Sequence, residues 1–414
     1  MEVNEEILNK AKYCLNCKLK PCSKGCPMNT NIPEFISEIV AGNLEEAYEI
    51  LIDNNIFSHI CSIVCPQEHQ CEGSCVRGIK QTPTEIGNLE RYVNEWAEEN
   101  LDIPTIEIQE NKNRKIAVIG SGPAGMQCAF ELRKKGYQVT IFEKEDKIGG
   151  ILNYGIPEFR LDKKYLEWII NILEKMQIKL ETGKELGKNI HIKELLGEFD
   201  CIFLGIGAEV PSRYDLGDFD NIYNPDYFLK AYNNNKYIEN LGDVVIIGGG
   251  NVAMDSSRAA IRMGAKSSNI LYRRNIESMP ASKKELKDAI QDGVNIEFTT
   301  RVIKAYGEER RFSGLKCIKT EVIDGKAIDI PNTEFNYKAD TVVFAIGLKP
   351  NKELLEKEGL AYNDNGLIAI DSNGKTNIDR VYAGGDLSET KSTVCRALGS
   401  ARLAAKSIME AFEK

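Results

Sequence analysis

The sequence predicts an α/β protein in which two parallel, doubly wound sheets follow an all-helical amino-terminal segment. Three observations lead to this class. Up to about residue 111, apolar residues recur three and four positions apart, as on one face of a helix. From Lys115 onward, short β-branched runs alternate with glycine turns and helical stretches, and this pattern occurs twice. The chain has 414 residues, more than one core usually spans, so we expect several domains.

Composition and charge limit the possible functions. Hydrophobic residues make up 42% of the chain, which is ample for buried cores, yet no apolar run approaches the roughly 18 residues that a membrane span needs. Residues 1–6 are acidic where a secretory signal would be basic. The formal net charge of −9 argues against nucleic acid as a partner. We therefore expect a soluble cytoplasmic protein that binds neither membranes nor nucleic acid.

Three stretches of the helical segment keep apolar side chains at helical spacing, at residues 32–36, 44–48 and 89–93. Pro104 and the polar run of residues 109–114 then interrupt this spacing and indicate a linker. We predict a first domain of residues 1–112 that is helical throughout.

The helical segment also carries eight of the chain's 12 cysteines, in two groups. These are Cys14, Cys17, Cys22 and Cys26, and then Cys61, Cys65, Cys71 and Cys75. In a reducing compartment, clustered thiols bind metal more often than they form disulfides. A proline follows both Cys26 and Cys65, and proline commonly accompanies iron–sulfur ligation. The groups therefore predict iron–sulfur clusters. Two tetrahedral zinc sites are the alternative, because thiolates alone do not distinguish the metals.

The first strand–turn–helix unit has the signature of an adenine-dinucleotide site. A strand at residues 115–119 precedes the glycine loop of residues 120–125, a helix to Lys135 and a second strand that ends at Glu143. Glycines let a pyrophosphate approach the backbone and the amino terminus of the following helix. An acid about 20 positions later accepts the ribose hydroxyls. The unit therefore predicts bound dinucleotide.

The second unit repeats the pattern but lacks the acid. A strand at residues 244–247 precedes the glycine loop of residues 248–253 and a helix to about Met263. The next strand, residues 269–272, is followed by Arg273 and Arg274, whose guanidinium groups suit a 2′-phosphate. The second site is thus predicted to hold NADPH rather than NADH. An exposed basic pair at a strand end is the alternative interpretation.

Two near-repeats bracket the second unit. Residues 200–208 and 340–347 each contain an acid, an apolar strand and a glycine turn, and they look like crossover strands. Residues 381–386 then form a buried strand that ends at Asp386, before a helix near Ser392. Such an Asp commonly meets the ribityl chain of a flavin, with a helix-capping role as the alternative. We therefore predict an FAD domain of residues 113–208 and 340–414, split by an NAD(P)H domain of residues 209–339.

These motifs together resemble those of a known family. The chain is similar, nearly from end to end, to the small (beta) subunit of NADPH-dependent glutamate synthase and its relatives. The relatives include the amino-terminal part of dihydropyrimidine dehydrogenase and the flavoprotein subunit of bifurcating NADH-dependent ferredoxin:NADP oxidoreductase. The resemblance rests on both cysteine groups and on residues 86–91, 120–125, 155–161, 248–255, 272–274 and 383–386. It implies two Rossmann-like, glutathione-reductase-type dinucleotide-binding domains, the NADP domain inserted in the FAD domain, behind an all-helical double [4Fe–4S] domain.

The resemblance also implies that the two cysteine groups interlace. Cluster one would be bound by Cys14, Cys17, Cys22 and Cys75. Cluster two would be bound by Cys26, Cys65, Cys71 and Glu90, with Cys61 as the alternative to Glu90. The predicted FAD-binding residues are Gly120, Gly122, Pro123, Ala124, Gly125, Glu143, Lys144, Gly149, Gly150, Arg160, Gly207, Gly385, Asp386, Thr393 and Val394. The predicted NADPH-binding residues are Gly248, Gly250, Asn251, Val252, Ala253, Arg273, Arg274 and Gly347.

The remaining cysteines argue against a disulfide reductase. Such enzymes need a close dithiol facing the flavin, whereas the other four cysteines are singletons in the sequence: Cys128, Cys201, Cys317 and Cys395. Residues 149–154 contain no cysteine where the glutathione reductase group carries its redox pair. We interpret Cys128 and Cys201 as small core residues.

The predicted function is electron input. NADPH passes hydride to FAD, and single electrons then travel through the two clusters to a partner subunit. The cofactors perform this chemistry, so we predict no catalytic acid, base or nucleophile. The first candidate for the partner is a glutamate synthase large subunit. A pyrimidine reductase-like enzyme and a bifurcating NAD(P)H:ferredoxin complex are the next candidates. The alternative from a different class is a non-catalytic redox-sensing or interaction protein that kept its cofactors.

Overall fold

The computed structural model describes residues 3–212, 216–217, 219–390 and 392–413. Met1 and Glu2, which begin the acidic amino terminus, lie outside the described residues. The chain divides into two compact units. Unit 1 comprises Met1–Leu152, Phe159–Ala208 and Pro350–Lys414, and unit 2 comprises Asn153–Glu158 and Glu209–Lys349. The division into three domains stays a prediction.

The segment before the first sheet is helical, as the spacing of its apolar residues predicts. Its helices are α1 (Glu5–Lys12), α2 (Pro21–Gly25), α3 (Ile32–Ala41), α4 (Leu44–Asn54), α5 (Ser58–Val64) and α6 (Ile86–Asn100). Short 3₁₀ turns follow α5 at Gln67–His69 and Val76–Ile79. Residues 102–114 contain neither helix nor strand, which agrees with the predicted linker.

The first dinucleotide-type fold begins directly after this linker. Its elements up to the chain's departure into unit 2 are β1 (Lys115–Ile119), α7 (Pro123–Lys134), β2 (Gln138–Phe142), α8 (Ile151–Tyr154), α9 (Lys164–Lys175), β3 (Lys179–Glu181), α10 (Ile192–Glu198) and β4 (Cys201–Leu204). The strands β1 and β4 are almost wholly buried, which explains their continuous apolar runs.

Unit 2 contains the second fold. Its elements are β5 (Val210–Pro211), β6 (Ile222–Tyr223), α11 (Pro225–Asn233), β7 (Asp243–Ile247), α12 (Asn251–Arg262), β8 (Ser267–Leu271), α13 (Lys283–Gln291), β9 (Asn295–Glu297), β10 (Thr300–Glu308), β11 (Arg311–Ile323), β12 (Lys326–Asp329), β13 (Phe335–Lys338), β14 (Thr341–Phe344) and β15 (Leu348–Lys349). Five strands form a parallel sheet in the order β6-β14-β7-β8-β9.

The chain then returns to unit 1 through α14 (Lys352–Lys357), β16 (Val381–Ala383) and α15 (Val394–Phe412). These complete a second parallel sheet in the order β16-β4-β1-β2-β3. The two near-repeats of the sequence are β4 and β14, and each pairs in parallel with the strand that precedes the glycine loop of its own sheet. The predicted α/β class, with one dinucleotide-type fold inserted in the sequence of another, is confirmed.

The structure adds one feature that the sequence analysis did not predict. In unit 2, β10 and β11 form an antiparallel hairpin, and β12 and β13 pair with β11. The buried side of this sheet packs on the parallel sheet through a shared core that includes Val302, Phe312 and Leu315. Among the described residues, no helix has both the length and the apolar character that crossing a bilayer requires.

Candidate cofactor sites

The four cysteines predicted to bind cluster one line a single pocket. Cys14 and Cys17 follow α1, Cys22 lies in α2, and Cys75 comes from the second cysteine group. The wall between them is largely apolar and includes Ile32, Ile36 and Ile86. Burial raises the pKa of Cys14, and it raises the pKa of Cys22 to about 11. Four thiols in an apolar cavity fit a [4Fe–4S] cluster, which binds thiolates.

The residues predicted for cluster two also lie near one another. Cys26 and Cys65 end α2 and α5, and Cys71 is buried between the 3₁₀ turns. Burial raises the pKa of the Glu90 carboxyl to about 8, with a further increase from the neighbouring Cys26. Burial raises the pKa of Cys71 as well, and the charges of Glu90 and Cys26 add to this increase. The donor set of three thiols and one carboxyl group therefore fits an iron–sulfur cluster.

The structure brings one further cysteine to this place. Cys395, in the first turn of α15, has its Sγ 3.9 Å from Cys26 Sγ, although 369 positions separate the two residues. The Sγ atoms of Cys61, Cys65 and Cys395 all lie within 4.8 Å of one another. Cys395 is therefore a singleton in the sequence but not in the fold, because local sequence patterns do not show how the carboxy-terminal helix packs on the cysteine groups.

The other isolated thiols behave as interpreted. Cys128 in α7 and Cys201 in β4 are buried in unit 1, at 0% and 2% exposure. Burial raises the pKa of both thiols, and that of Cys201 reaches about 12. Such weakly acidic thiols lack the character of reactive cysteines.

The first glycine loop joins β1 to the amino terminus of α7. A Cβ at Gly125 would lie 1.8 Å from the carbonyl oxygen of Gly120, so the turn itself requires glycine there. A Cβ at Gly122 would meet nothing within 4 Å, and the φ of −68° at this position suits any residue. Gly122 thus leaves open space at a helix amino terminus, which fits the pyrophosphate of a dinucleotide.

The predicted ribose ligand Glu143 connects this loop to the next one. Its Oε2 accepts hydrogen bonds from the backbone N–H of Ser121, at 2.9 Å, and from the Ser121 hydroxyl. Its Oε1 accepts from the N–H of Glu145, at 2.9 Å, and the Ser121 hydroxyl oxygen accepts from Gly149 N–H. A carboxylate oxygen has two lone pairs, so Glu143 keeps the capacity to accept from ribose hydroxyls while it orders the loop.

Asp386 lies in a 3₁₀ turn, Gly385–Leu387, that follows β16. Gly385 has a φ of +72°, and a Cβ there would lie 2.9 Å from Ala124 Cβ, which brings this turn to the first turn of α7. Burial raises the pKa of Asp386 to about 6, although a hydrogen bond with Ser392 lowers it in part. Thr393 caps α15 by accepting from Arg396 N–H at 3.3 Å. The helix therefore begins at Val394, two residues later than predicted.

The raised pKa of Asp386 predicts that the affinity for FAD depends on pH. If the carboxylate accepts a flavin hydroxyl, we expect the Kd for FAD to rise about tenfold from pH 7 to pH 5, because Asp386 takes up a proton as the pH falls through 6. The stability of the FAD-free protein should change with pH in the opposite direction. Between pH 3.8 and about 6 the folded state binds more protons than the unfolded state, because the pKa of Asp386 is raised in the folded state. Asp386 then contributes more stability as the pH falls through that window.

Fluorescence titration of FAD-free protein across this pH range measures the expected effect. Asp386→Asn should bind FAD more weakly at pH 7 and lose the pH dependence. An unchanged pH profile in Asp386→Asn would show that another group titrates.

The remaining predicted FAD residues lie in three different loops. Lys144, Gly149 and Gly150 lie between β2 and α8, and Arg160 lies between α8 and α9. Gly150 has a φ of +52°, and a Cβ there would lie 3.0 Å from Gly122 Cα, so these two predicted residues are neighbours. Gly207 follows β4 with a φ of +72°.

The second glycine loop, between β7 and α12 of unit 2, repeats the steric pattern of the first. Gly248 has a φ of +150°, and a Cβ there would lie 2.1 Å from the carbonyl oxygen of Ala345. A Cβ at Gly249 would meet the Tyr272 ring at 2.5 Å. Gly250, the residue before α12, has a φ of −93°, and a Cβ there would meet nothing within 4 Å. This loop therefore also presents a helix amino terminus without side-chain cover.

The two arginines predicted to bind the 2′-phosphate follow β8. Arg273 is exposed, and its carbonyl oxygen accepts from the Thr320 hydroxyl at 2.8 Å, which holds the backbone in place. The Arg274 guanidinium lies 5.6 Å from the centre of the Tyr272 ring. Among the described residues, Arg274 Nε is buried and has no hydrogen-bond partner. A buried donor beside an exposed guanidinium fits a phosphate group.

Arg273→Ala is expected to raise the Kd for NADPH about 10- to 100-fold and to leave the Kd for NADH unchanged, because a bond to a charged group is worth about 1.5–3 kcal/mol. Isothermal titration of both nucleotides measures this. Arg310→Ala, which removes an exposed arginine bonded to Asp220 in the same unit, is the matched control. Equal losses for NADPH and NADH would contradict the phosphate assignment.

Comparison with known proteins identifies the family of the chain. Residues 114–411 match the family model of pyridine nucleotide-disulphide oxidoreductases, and residues 2–101 match that of dihydropyrimidine dehydrogenase domain II, 4Fe-4S cluster. The glutamate synthase (NADPH) small chain of Escherichia coli (strain K12) is 33% identical over 98% of this chain and 91% of its own. The NADPH-Fe(3+) oxidoreductase subunit beta of Geobacter sulfurreducens (strain DL-1 / KN400) is 30% identical over 95% of this chain and 64% of its own.

A solved structure shares the fold of the two dinucleotide-type sheets. Mycobacterium tuberculosis FprA in complex with NADPH is 16% identical and covers 72% of this chain and 84% of its own, with a TM-score of 0.62. At this identity the likeness shows the fold alone.

Proposed function

The chain belongs to the family of the glutamate synthase small chains, within the pyridine nucleotide-disulphide oxidoreductases, and we propose that it oxidises NADPH and delivers the electrons to a partner subunit. The resemblance predicted from the sequence is thereby confirmed. The chain is an NAD(P)H-dependent FAD and iron–sulfur oxidoreductase that serves as an electron-input flavoprotein. What remains to be proposed is how its residues serve this function and which partner accepts the electrons.

The contact between α15 and the cysteine groups is the observation that supports the proposal. This helix begins with the predicted flavin-binding residues Thr393 and Val394, and Gln70 Nε2 donates to Thr393 Oγ1 at 3.4 Å. A Cβ at Gly399 would lie 2.7 Å from the carbonyl oxygen of Pro27, the residue after Cys26. The residues predicted for FAD and those predicted for cluster two therefore meet at one end of one helix, as direct electron transfer between the two groups requires.

A second contact holds the two regions together. Arg402, further along α15, donates from Nη1 to the carbonyl oxygen of Met28 at 2.9 Å and from Nε to Glu131 of α7 at 2.7 Å. The same guanidinium thus bonds to the segment after Cys26 and to the helix that begins at the first glycine loop. This arrangement supports a fixed spacing between the flavin site and cluster two, on which electron transfer depends.

Each set of residues has a defined task in this proposal. Gly122 and Gly250 leave space for the two pyrophosphates, and Arg273 binds the 2′-phosphate of NADPH. Asp386 orients the flavin by accepting from its ribityl chain. When bound, the flavin supplies hydride acceptance and the clusters supply one-electron transfer, so the protein needs no acid, base or nucleophile of its own.

The partner is inferred from the relatives. One relative is named a small chain and another a subunit beta, so both are parts of larger enzymes. We infer that this chain also has a partner subunit, with a glutamate synthase large subunit as the first candidate. A pyrimidine reductase-like enzyme and a bifurcating NAD(P)H:ferredoxin complex are the next candidates.

Anaerobic purification from native extract tests both parts of the proposal. The chain should co-purify with one partner and contain FAD, iron and acid-labile sulfide. Added NADPH should bleach the flavin absorbance and drive reduction of a viologen or tetrazolium dye. A protein that binds FAD but reduces no dye with NADPH would instead be the non-catalytic redox-sensing or interaction protein. Zinc in place of iron would refute the electron path.

A further inference from the structure

We propose that Cys395 is the fourth protein ligand of cluster two, in place of Glu90 or Cys61. The inference rests on one part of the proposed function, namely that the residues predicted for cluster two bind an iron–sulfur cluster. It concerns a residue of the FAD fold, and it places a ligand of that cluster on the helix that also begins the flavin site.

The surroundings of Cys395 carry the inference. The side chain is 2% exposed, and its neighbours include three other sulfur atoms. Cys26 Sγ lies at 3.9 Å, and Cys61 Sγ and Cys65 Sγ lie within 4.8 Å. Cys61, Cys65 and Cys395 form the one group of three potential metal ligands within the described part of the chain whose ligand atoms lie this close together. Two of these neighbours, Cys26 and Cys65, are predicted ligands of cluster two, so Cys395 points into the same ligand shell.

Glu90 is a competing candidate, and one oxygen of its carboxylate already accepts a hydrogen bond. Glu90 Oε1 accepts from the Ser58 hydroxyl at 2.8 Å, and Asn94 Nδ2 donates to the same hydroxyl oxygen at 3.0 Å. These three buried side chains form a hydrogen-bonded group between α5 and α6. Iron–sulfur clusters also prefer soft thiolate ligands to carboxylates. Because the Cys395 thiol lies close to two predicted ligands of cluster two, we favour it over the Glu90 carboxylate as the fourth ligand.

Cys61 is held by a different contact. Asn55 Nδ2 donates to Cys61 Sγ at 3.4 Å, and Asn55 Oδ1 accepts from Phe57 N–H at 3.0 Å. Asn55 thereby ties the Cys61 sulfur to the turn that begins α5. Cys65 lies one helical turn later in the same segment and is already a predicted ligand. Cys395 approaches from a different element, so it can supply the position that α2 and α5 leave open.

The position of Cys395 also suits a ligand thiolate. It lies in the first turn of α15, a helix of 19 residues, whose amino terminus stabilises negative charge. Cys395 would bind iron as the thiolate, so its proton passes to solvent when the cluster assembles, and no electron is exchanged in this step. Because Val394 is its neighbour in the chain, the ligand and a predicted flavin contact are one peptide bond apart.

Four single variants of the full chain, purified anaerobically, test the assignment: Cys395→Ala, Glu90→Gln, Cys61→Ala and Cys128→Ala. Cys128 is the matched control, because it is also a buried helical thiol of unit 1. Two intact clusters hold about eight irons per chain. We expect Cys395→Ala to lose at least one and up to about four of these irons, and loss of a single iron should give the EPR signal of an oxidised three-iron cluster. The other three variants should keep the iron content and EPR spectrum of the unmodified protein.

The opposite pattern would overturn the inference. If Glu90→Gln or Cys61→Ala loses the iron while Cys395→Ala keeps all of it, that residue is the fourth ligand. If Cys395→Ala fails to fold, Cys395→Ser keeps the shape of the side chain. Mössbauer spectra of ⁵⁷Fe-enriched Cys395→Ser should then show one altered iron, and a spectrum identical to that of the unmodified protein would refute the proposal. A native protein without iron would instead refute the proposed function, so the two failures are distinguishable.

Discussion

Gly122→Ala is expected to abolish FAD binding while the protein still folds. The new methyl group meets no protein atom within 4 Å, and the backbone at this position is in a region that alanine adopts freely. The methyl instead occupies the space in front of the α7 amino terminus. A pyrophosphate displaced from there loses two or more bonds of about 1.5–3 kcal/mol each, so the Kd for FAD should rise about 100-fold or more.

Flavin content after desalting and the melting temperature of FAD-free protein measure the two halves of this prediction. The flavin content should fall to a small fraction of that of the unmodified protein. The FAD-free form should melt at the same or a slightly higher temperature, because replacing glycine by alanine at a compatible position restricts the unfolded chain and stabilises by about 0.4–1 kcal/mol. A variant that keeps its FAD would show that the dinucleotide does not approach this loop.

Gly125→Ala is the contrasting variant, three residues away. There the methyl group would lie 1.8 Å from the Gly120 carbonyl oxygen and 3.3 Å from the Val118 side chain, so the backbone of the turn must move. This variant should lose FAD and also melt at a lower temperature without it. Comparing Gly122→Ala with Gly125→Ala therefore distinguishes a variant that blocks the FAD site from a variant that destabilises the fold.

Cys75→Ala is expected to remove cluster one, although most of that cluster's predicted ligands lie in the other cysteine group. Cys75 lines the same cavity as Cys14, Cys17 and Cys22, so its sulfur completes their set. The loss of one ligand of four should leave cluster one unstable and remove up to about half of the iron. NADPH-driven dye reduction should persist, because a dye can take electrons directly from the flavin. Transfer to the native partner should fall if cluster one lies on the path.

Cys71→Ala, four positions earlier, is the matched variant and should remove cluster two instead. Redox titrations followed by EPR should therefore show the loss of different signals in the two variants. Loss of the same signal from both would contradict interlaced ligation and would assign each cysteine group its own cluster. Far-ultraviolet circular dichroism controls for unfolding of the helical segment, which clusters of this kind help to stabilise.

Much of the fold could be predicted because its signals are local. The strands β1 and β7, the glycine loops after them and the helices α7 and α12 each depend on residues adjacent in the chain. Gly120 and Gly248 have positive φ angles that other residues rarely adopt, so the glycines themselves predict the turns at these positions. The second glycine loop and the following arginines likewise needed no knowledge of distant contacts.

The antiparallel sheet of β10 to β13 was not predicted, because its strands alternate buried and exposed residues imperfectly. In β11, for example, Leu315 and Cys317 are buried but so is Ile318, and the pairing with β10 contains two register shifts. Such irregular strands gain their stability from the core on which they pack, which a periodic pattern does not reveal.

The sequence by itself determined the class of the protein, both dinucleotide loops and the two groups of thiols, because each of these depends on residue types at short, regular spacing. The family resemblance already implied that Cys75 joins the first cysteine group, and these four residues line one pocket of the structure. Only the tertiary structure decided that Cys395 lies against Cys26. The physical reason is that the ligands of one cluster come from elements that are distant in the sequence and meet only when these elements pack together. The residues that meet there come from α2, α5 and α15, and nothing in the local pattern around Cys395 records that its helix packs against the other two.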